Sequence, residues 1–109
     1  MELVWLEDLS ALAEYGSFVR AAEARHVTQP AFSRRVRSLE NWMGVELFVR
    51  TPQGATLTEA GRQILPSAQE AARRLYRMRS EAQEVAGMAA KTLQFAATHS
   101  LSFTFFPRW

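Results

Sequence analysis

The order of apolar, polar and turn residues predicts a mainly α-helical chain, with three short helices and a β-hairpin followed by one long helix. Three observations carry this. Apolar residues recur with helical spacing in three segments before residue 44, Pro52, Gln53 and Gly54 separate two short runs of strand character, and from Leu57 the apolar positions repeat in heptads.

Over residues 3–15, Trp5, Leu6, Leu9, Leu12 and Ala13 fall within an arc of about 120° at about 100° per residue, which makes the segment an amphipathic helix. Gly16 ends it. Ser17 is a good N-cap for a short second helix whose Phe18, Ala21 and Ala22 form a small packing face, and which should stop near His26. Thr28 caps a third helix, with Gln29 and Pro30 in its first turn, where a missing N–H does no harm. That helix runs to Met43, and Gly44 is free to take the left-handed capping conformation.

Residues 45–50 read as a strand, Pro52 to Gly54 as the turn, and residues 55–57 as the returning strand, a hairpin flanked by Arg50. Thr58 then caps the long helix. Its apolar positions Leu57, Ala60, Ile64, Ala68, Ala71, Leu75, Met78, Ala82 and Val85 step by 3 or 4 and average 3.5 over 28 residues. This is a coiled-coil seam about 42 Å long, and Ile64, Ala68, Ala71, Leu75, Met78 and Ala82 are its expected dimer contacts. Pro66 removes one hydrogen bond and predicts a bend rather than a stop. A domain of residues 1–57 is expected to have too little core to cover so long a seam. The expected division is a winged domain over 1–57, a linker and dimerisation helix over 58–86, a hinge over 87–91, and over 92–109 the truncated start of a second domain, opening with a strand at 92–97.

Two helices joined by a turn of about three residues, a third helix and a hairpin together make a winged helix-turn-helix. The third helix has two faces. With Gln29 at 0°, Phe32, Val36, Leu39 and Met43 lie between roughly 280° and 340°, a core stripe, while Gln29, Pro30, Ser33, Arg34 and Arg37 lie between 0° and about 140°. Arginine forks onto guanine and glutamine onto adenine in a major groove, which double-stranded DNA would present to such an arc. An ordinary solvated helix face has the same look. Charge distribution is compatible with both readings, since it concentrates base in the middle of the chain. The formal net charge is only +2, yet residues 20–79 hold eleven arginines against five glutamates, and the first 19 residues hold four acids and no base. Arg50, on the wing, would touch phosphate rather than bases.

Composition excludes several classes. There is no cysteine, hence no disulfide and no zinc-thiolate site, and no cofactor is expected. His26 and His99 are the two histidines and Asp8 the sole aspartate, so neither a metal cluster nor a nucleophile with its base emerges, and no enzyme is expected. His26 is expected to close the turn before the third helix. No apolar run is long enough for a membrane span, and the expected location is the cytoplasm. The competing reading of the whole is a helical interaction or dimerisation module whose arginines merely solubilise it.

Residues 16–61 closely resemble the N-terminal region of LysR-type transcriptional regulators. The agreement spans Ala21-Ala22, residues 27–31 (VTQPA), Ser33-Arg34, Leu39-Glu40, Gly44, Leu47-Phe48 with Arg50, and residues 57–61 (LTEAG), all at the family spacing. The resemblance implies a sequence-specific DNA-binding regulator, a homodimer through antiparallel linker helices that pairs again into a tetramer at full length, and a small-molecule or redox effector bound by a C-terminal domain. It also implies that Gln29, Pro30, Ser33 and Arg34 touch bases or nearby backbone, that Thr28 caps the reading helix against a phosphate, and that Arg50 contacts phosphate from the wing. Arg37 joins the set from helix geometry. The chain departs from the family pattern at Trp42-Met43, where extra bulk should mainly affect packing.

Overall fold

The computed structural model describes residues 1–95 and gives the element order α1 (Leu3–Tyr15), α2 (Phe18–Ala24), α3 (Gln29–Met43), β1 (Phe48–Thr51), β2 (Gly54–Leu57) and α4 (Glu59–Phe95). Each boundary has a local cause. Gly16 and Gly44 end α1 and α3 in the left-handed conformation, their N–H groups returning to the carbonyls of Leu12 and Glu40. Ser17 and Thr28 cap α2 and α3 with side-chain oxygens that accept from Arg20 N and Ala31 N, each at 3.3 Å. Thr58 serves α4 in the same way, accepting from Gly61 N at 3.0 Å and donating to the Glu46 carbonyl at 2.7 Å. α2 ends at Ala24, near His26 as expected, and His26 turns to a φ of 60° and closes the bend into α3.

The core is built from Leu6, Leu9 and Leu12 of α1, Ala21 and Ala22 of α2, Phe32, Val36 and Leu39 of α3, and Leu47 and Phe48 beside the hairpin. Phe18 meets Phe32 edge to face, ring centroids 6.0 Å apart. The hairpin is antiparallel, pairing Phe48 with Leu57 and Arg50 with Ala55 around the loop Pro52-Gln53. β1 begins three residues later than expected. The N–H groups of Leu47 and Phe48 go to the Glu40 carboxylate, at 2.8 and 3.1 Å, and that of Val45 to the Glu40 carbonyl, so the approach to the strand is tied to α3, and of residues 45–47 only the Leu47 carbonyl meets the returning strand's end, accepting from Thr58 N at 2.9 Å. The hairpin is stitched to the α1–α2 turn by Ala55 N donating to the Gly16 carbonyl at 2.9 Å. Gly54, at φ 137°, is required there, because a Cβ would collide with that same carbonyl oxygen.

Two units divide the chain between Arg73 and Arg74. The first therefore extends well past residue 57, because the opening turns of α4 belong to it. Ala68 is buried in its core, and Ala60, Ile64, Leu65, Ala71 and Ala72 pack against it half-buried. Of the expected dimer contacts, Ala68 is therefore covered by its own domain, and Ile64 and Ala71 are half-buried against it, so the domain receives the first part of the seam and leaves the rest uncovered. In the second unit Leu75, Met78, Ala82 and Val85 are exposed.

The hinge expected over 87–91 is also corrected, since α4 continues through it and through residues 92–95 of the expected strand. One Gly87 costs about 1 kcal/mol in a helix, too little to break a run whose neighbours Ala86, Met88, Ala89, Ala90 and Lys91 are strong helix formers. Nor does the helix end at Pro66. Residues 96–109, with the rest of that strand and the apolar tail, lie outside the described residues. Trp42 does not affect packing as expected. It is 59% exposed, and it is Met43 that packs against the core.

Candidate nucleic-acid interface

The packing of α3 decides which of its side chains reach solvent. Phe32, Val36 and Leu39 are buried, which turns the opposite arc outward and leaves Thr28, Gln29, Pro30, Arg34 and Arg37 exposed, with Ser33 half-buried between them. Neither Arg34 nor Arg37 has an ion-pair or hydrogen-bond partner among the described residues. The structure thus brings together on one surface all six residues singled out on the third helix and its cap.

Arg50 joins them by a route that sequence spacing did not indicate. Strand alternation places it on the same side of β1 as the buried Phe48, with Ala55 opposite, so its side chain turns toward the domain instead of projecting from the wing. Its guanidinium lies over the Phe18 ring, Cζ 3.8 Å from the centroid, and donates from Nη2 to the Ser33 hydroxyl at 3.3 Å. The group remains exposed. Its resting place is the flank of α3, so three guanidinium groups, Arg34, Arg37 and Arg50, serve one surface. A groove of about 310 Å³ runs between α3 and β1, lined in part by Ser33, Arg37, Glu40, Val49 and Arg50. The Glu40 carboxylate in that groove is occupied, because it accepts the Leu47 and Phe48 N–H groups and thereby ties the start of the wing to α3.

Two arginines of the basic stretch do different work. The fully buried Asp8 of α1 accepts from Nε of Arg25, at the end of α2, at 2.8 Å. It also accepts from Nη2 of Arg35, on α3, at 3.0 Å. Nε of Arg35 lies a further 2.8 Å from the other Asp8 oxygen, close enough for an ion pair though poorly aligned for a hydrogen bond. Glu7 accepts from Arg25 at 3.1 Å. Burial disfavours the charge on Arg25, and the Asp8 carboxylate, through its hydrogen bond and its field and with help from Glu7, outweighs this and holds the arginine pKa above its ordinary value.

These residues were missed when every arginine was counted as one basic surface. The signal lay in the helical wheel. Asp8 sits about 40° from Leu12 at the margin of the apolar arc of α1, and Arg35 about 40° from Leu39 at the margin of the α3 stripe, whereas Arg34 and Arg37 lie far around the other side. No group of metal-ligating side chains occurs among the described residues, and no described helix is long and apolar enough to cross a membrane.

The family model described as bacterial regulatory helix-turn-helix protein, lysR family, matches residues 3–62. HTH-type transcriptional regulator YjiE of Escherichia coli (strain K12) is 36% identical over 107 residues, covering 98% of this chain and 35% of that protein. The chain therefore spans about a third of that relative's length. Among solved structures, VV2_1132, a LysR family transcriptional regulator, superposes with a TM-score of 0.76 at 43% identity, over 79% of this chain and 30% of its own. Vibrio fischeri DarR, crystallised in complex with DNA, gives 0.77 at 37% identity, over 81% and 30%.

Proposed function

Because the chain belongs to the lysR family of bacterial regulatory helix-turn-helix proteins, a family of transcriptional regulators rather than enzymes, we propose that it reads duplex DNA with the outer arc of α3 in the major groove while the wing rests on the backbone. The observation that carries this reading is the segregation of α3, whose apolar stripe is buried and whose Thr28, Gln29, Pro30, Arg34 and Arg37 are exposed beside Arg50. In this reading Arg34 and Gln29 meet base edges, Arg37 a base or the adjacent phosphate, Thr28 and Arg50 phosphates, and Ser33 and Pro30 keep the helix surface low enough for close approach. The regulator works in the cytoplasm as a homodimer, paired into a tetramer at full length, with the exposed seam from Leu75 to Val85 facing a second copy. Control by a small-molecule or redox effector acts through residues C-terminal to α4.

Titration of labelled duplexes selected by the protein from a random pool, at several salt concentrations, tests the reading. Affinity falls steeply with salt; Arg50→Ala weakens all duplexes alike and lowers the slope of log K against log salt by about 1. Arg34→Ala loses discrimination at one base position, at about 1–3 kcal/mol. Absence of duplex binding even at low salt overturns the reading.

A further inference from the structure

Asp8 is an expensive residue to place where it is. It is fully buried on α1, and two arginines converge on it, Arg25 from the end of α2 and Arg35 from α3. Burying such a cluster does not stabilise a fold better than apolar side chains of similar volume, which often do as well or better. What a fork supplies, and an apolar stripe does not, is direction. Phe32, Val36 and Leu39 hold α3 against the core yet tolerate a small rotation about its axis, whereas the directional hydrogen bond from Arg35 Nη2 to Asp8, with Nε at ion-pair distance from the second carboxylate oxygen, is lost once the guanidinium is turned away.

The size of that rotation decides whether it matters. Side-chain tips on a helix lie about 5–6 Å from its axis, so a turn of about 10° displaces them by about 1 Å. Bidentate contacts to a base edge require donor–acceptor distances within a window of about half an ångström. Arg34, one residue before Arg35, lies about 100° from it around the helix on one side, and Arg37, two residues after it, lies about 200° around on the other, and both are carried by the same rigid backbone. Fixing Arg35 therefore fixes the azimuth of both. Arg25 places the end of α2 on the same carboxylate, so both helices of the helix-turn-helix are set from one point on α1.

We propose that Asp8 is a positioning residue for base recognition: by holding Arg35 and Arg25 it sets the rotation of α3, and so the register of Arg34 and Arg37, without touching DNA. This rests on the reading of α3 as the helix that enters the groove. A merely structural role and a positioning role separate in one ratio. Loss of folded protein lowers affinity for selected and scrambled duplexes by the same factor, whereas a rotated helix keeps its phosphate contacts and loses its base contacts.

The test uses the whole chain and three variants. These are Asp8→Asn, the charge-preserving Arg35→Lys, and a triple replacement of Asp8 by Leu, Arg25 by Met and Arg35 by Met. Each is titrated with the wild type's selected duplex and a scrambled duplex, beside a thermal melt. For Arg35→Lys, which keeps net charge, we expect scrambled-duplex affinity within about twofold of wild type and the selected-to-scrambled ratio at least about tenfold lower. The triple variant melts at or above the wild-type temperature and shows the same loss of ratio. Should Asp8→Asn fail to fold, Arg35→Lys and the triple variant decide. A folded triple variant or Arg35→Lys with the wild-type ratio overturns the positioning role while leaving the DNA-reading function intact. A wild type that does not distinguish the two duplexes overturns both.

Discussion

Ala68 and Ala82 are the same residue at the same place in a heptad pattern, two heptads apart on one helix, and they have opposite surroundings. Ala68 is 6% exposed, in the core with α4 residues Ile64 and Ala71 packed around it, whereas Ala82 is exposed along with Met78 and Val85. The seam does not change between them, since steps of 3 and 4 continue throughout. What changes is the supply of apolar surface. As far as Arg73 the helix has a domain of its own to lie on, and from Arg74 it belongs to a separate unit. A 3.5-residue period reports that a stripe will be buried, and leaves open against what.

The largest expected effect comes from putting a charge at both positions. Ala68→Glu forces an unpaired carboxylate into the core and should cost about 3 kcal/mol or more, enough to unfold much of the first unit at room temperature as followed by far-ultraviolet circular dichroism. Ala82→Glu should leave the melting of that unit unchanged and reduce self-association in sedimentation. Equal melting losses from both would mean that the two stretches of helix do not differ as described. A smaller effect of the same kind comes from Gly61, whose added Cβ would meet the Leu47 carbonyl oxygen and stand 2.8 Å from Leu57 Cδ2. The start of α4 lies so close to the segment entering β1 that Gly61→Ala should cost about 1–3 kcal/mol in denaturant unfolding. A variant as stable as wild type would show that α4 is not seated there.

Most of the fold was legible because local rules and packing agreed: Gly16, Ser17, Thr28, Gly44 and Thr58 mark helix ends that the structure repeats. The exposed arc of α3 was legible for the same reason, since Phe32, Val36 and Leu39 decide which side of the helix faces the core, to within a small rotation. Three things were not. The helical wheel separates Arg35 from Arg34, but which group Arg35 meets depends on an acid on another helix, 27 residues away, and spacing along α3 does not reveal that partner. The path of Arg50 depends on which side of β1 faces Phe18, a register that the hairpin turn alone does not reveal. The extent of α4 was underestimated because Gly87 was weighed as a break, when a single glycine among helix formers lowers helix stability without ending it.

Gly87 also gives the smallest and most discriminating test of the contrast. A Cβ built on it meets nothing within 4 Å, the reverse of Gly61, so alanine there should act only through backbone propensity. Gly87→Ala should raise the protection of amides around residue 87 against hydrogen exchange by up to about 1 kcal/mol and leave the melting of the first unit unchanged. Leu75→Gln and Val85→Gln should likewise shift that melting by less than about 0.5 kcal/mol, because both side chains are exposed in the single chain. They should nevertheless weaken self-association if the exposed stripe is where a second copy sits. A drop in melting temperature that does not depend on protein concentration would show instead that Leu75 and Val85 support their own chain, and the contrast between the two stretches of α4 would then disappear.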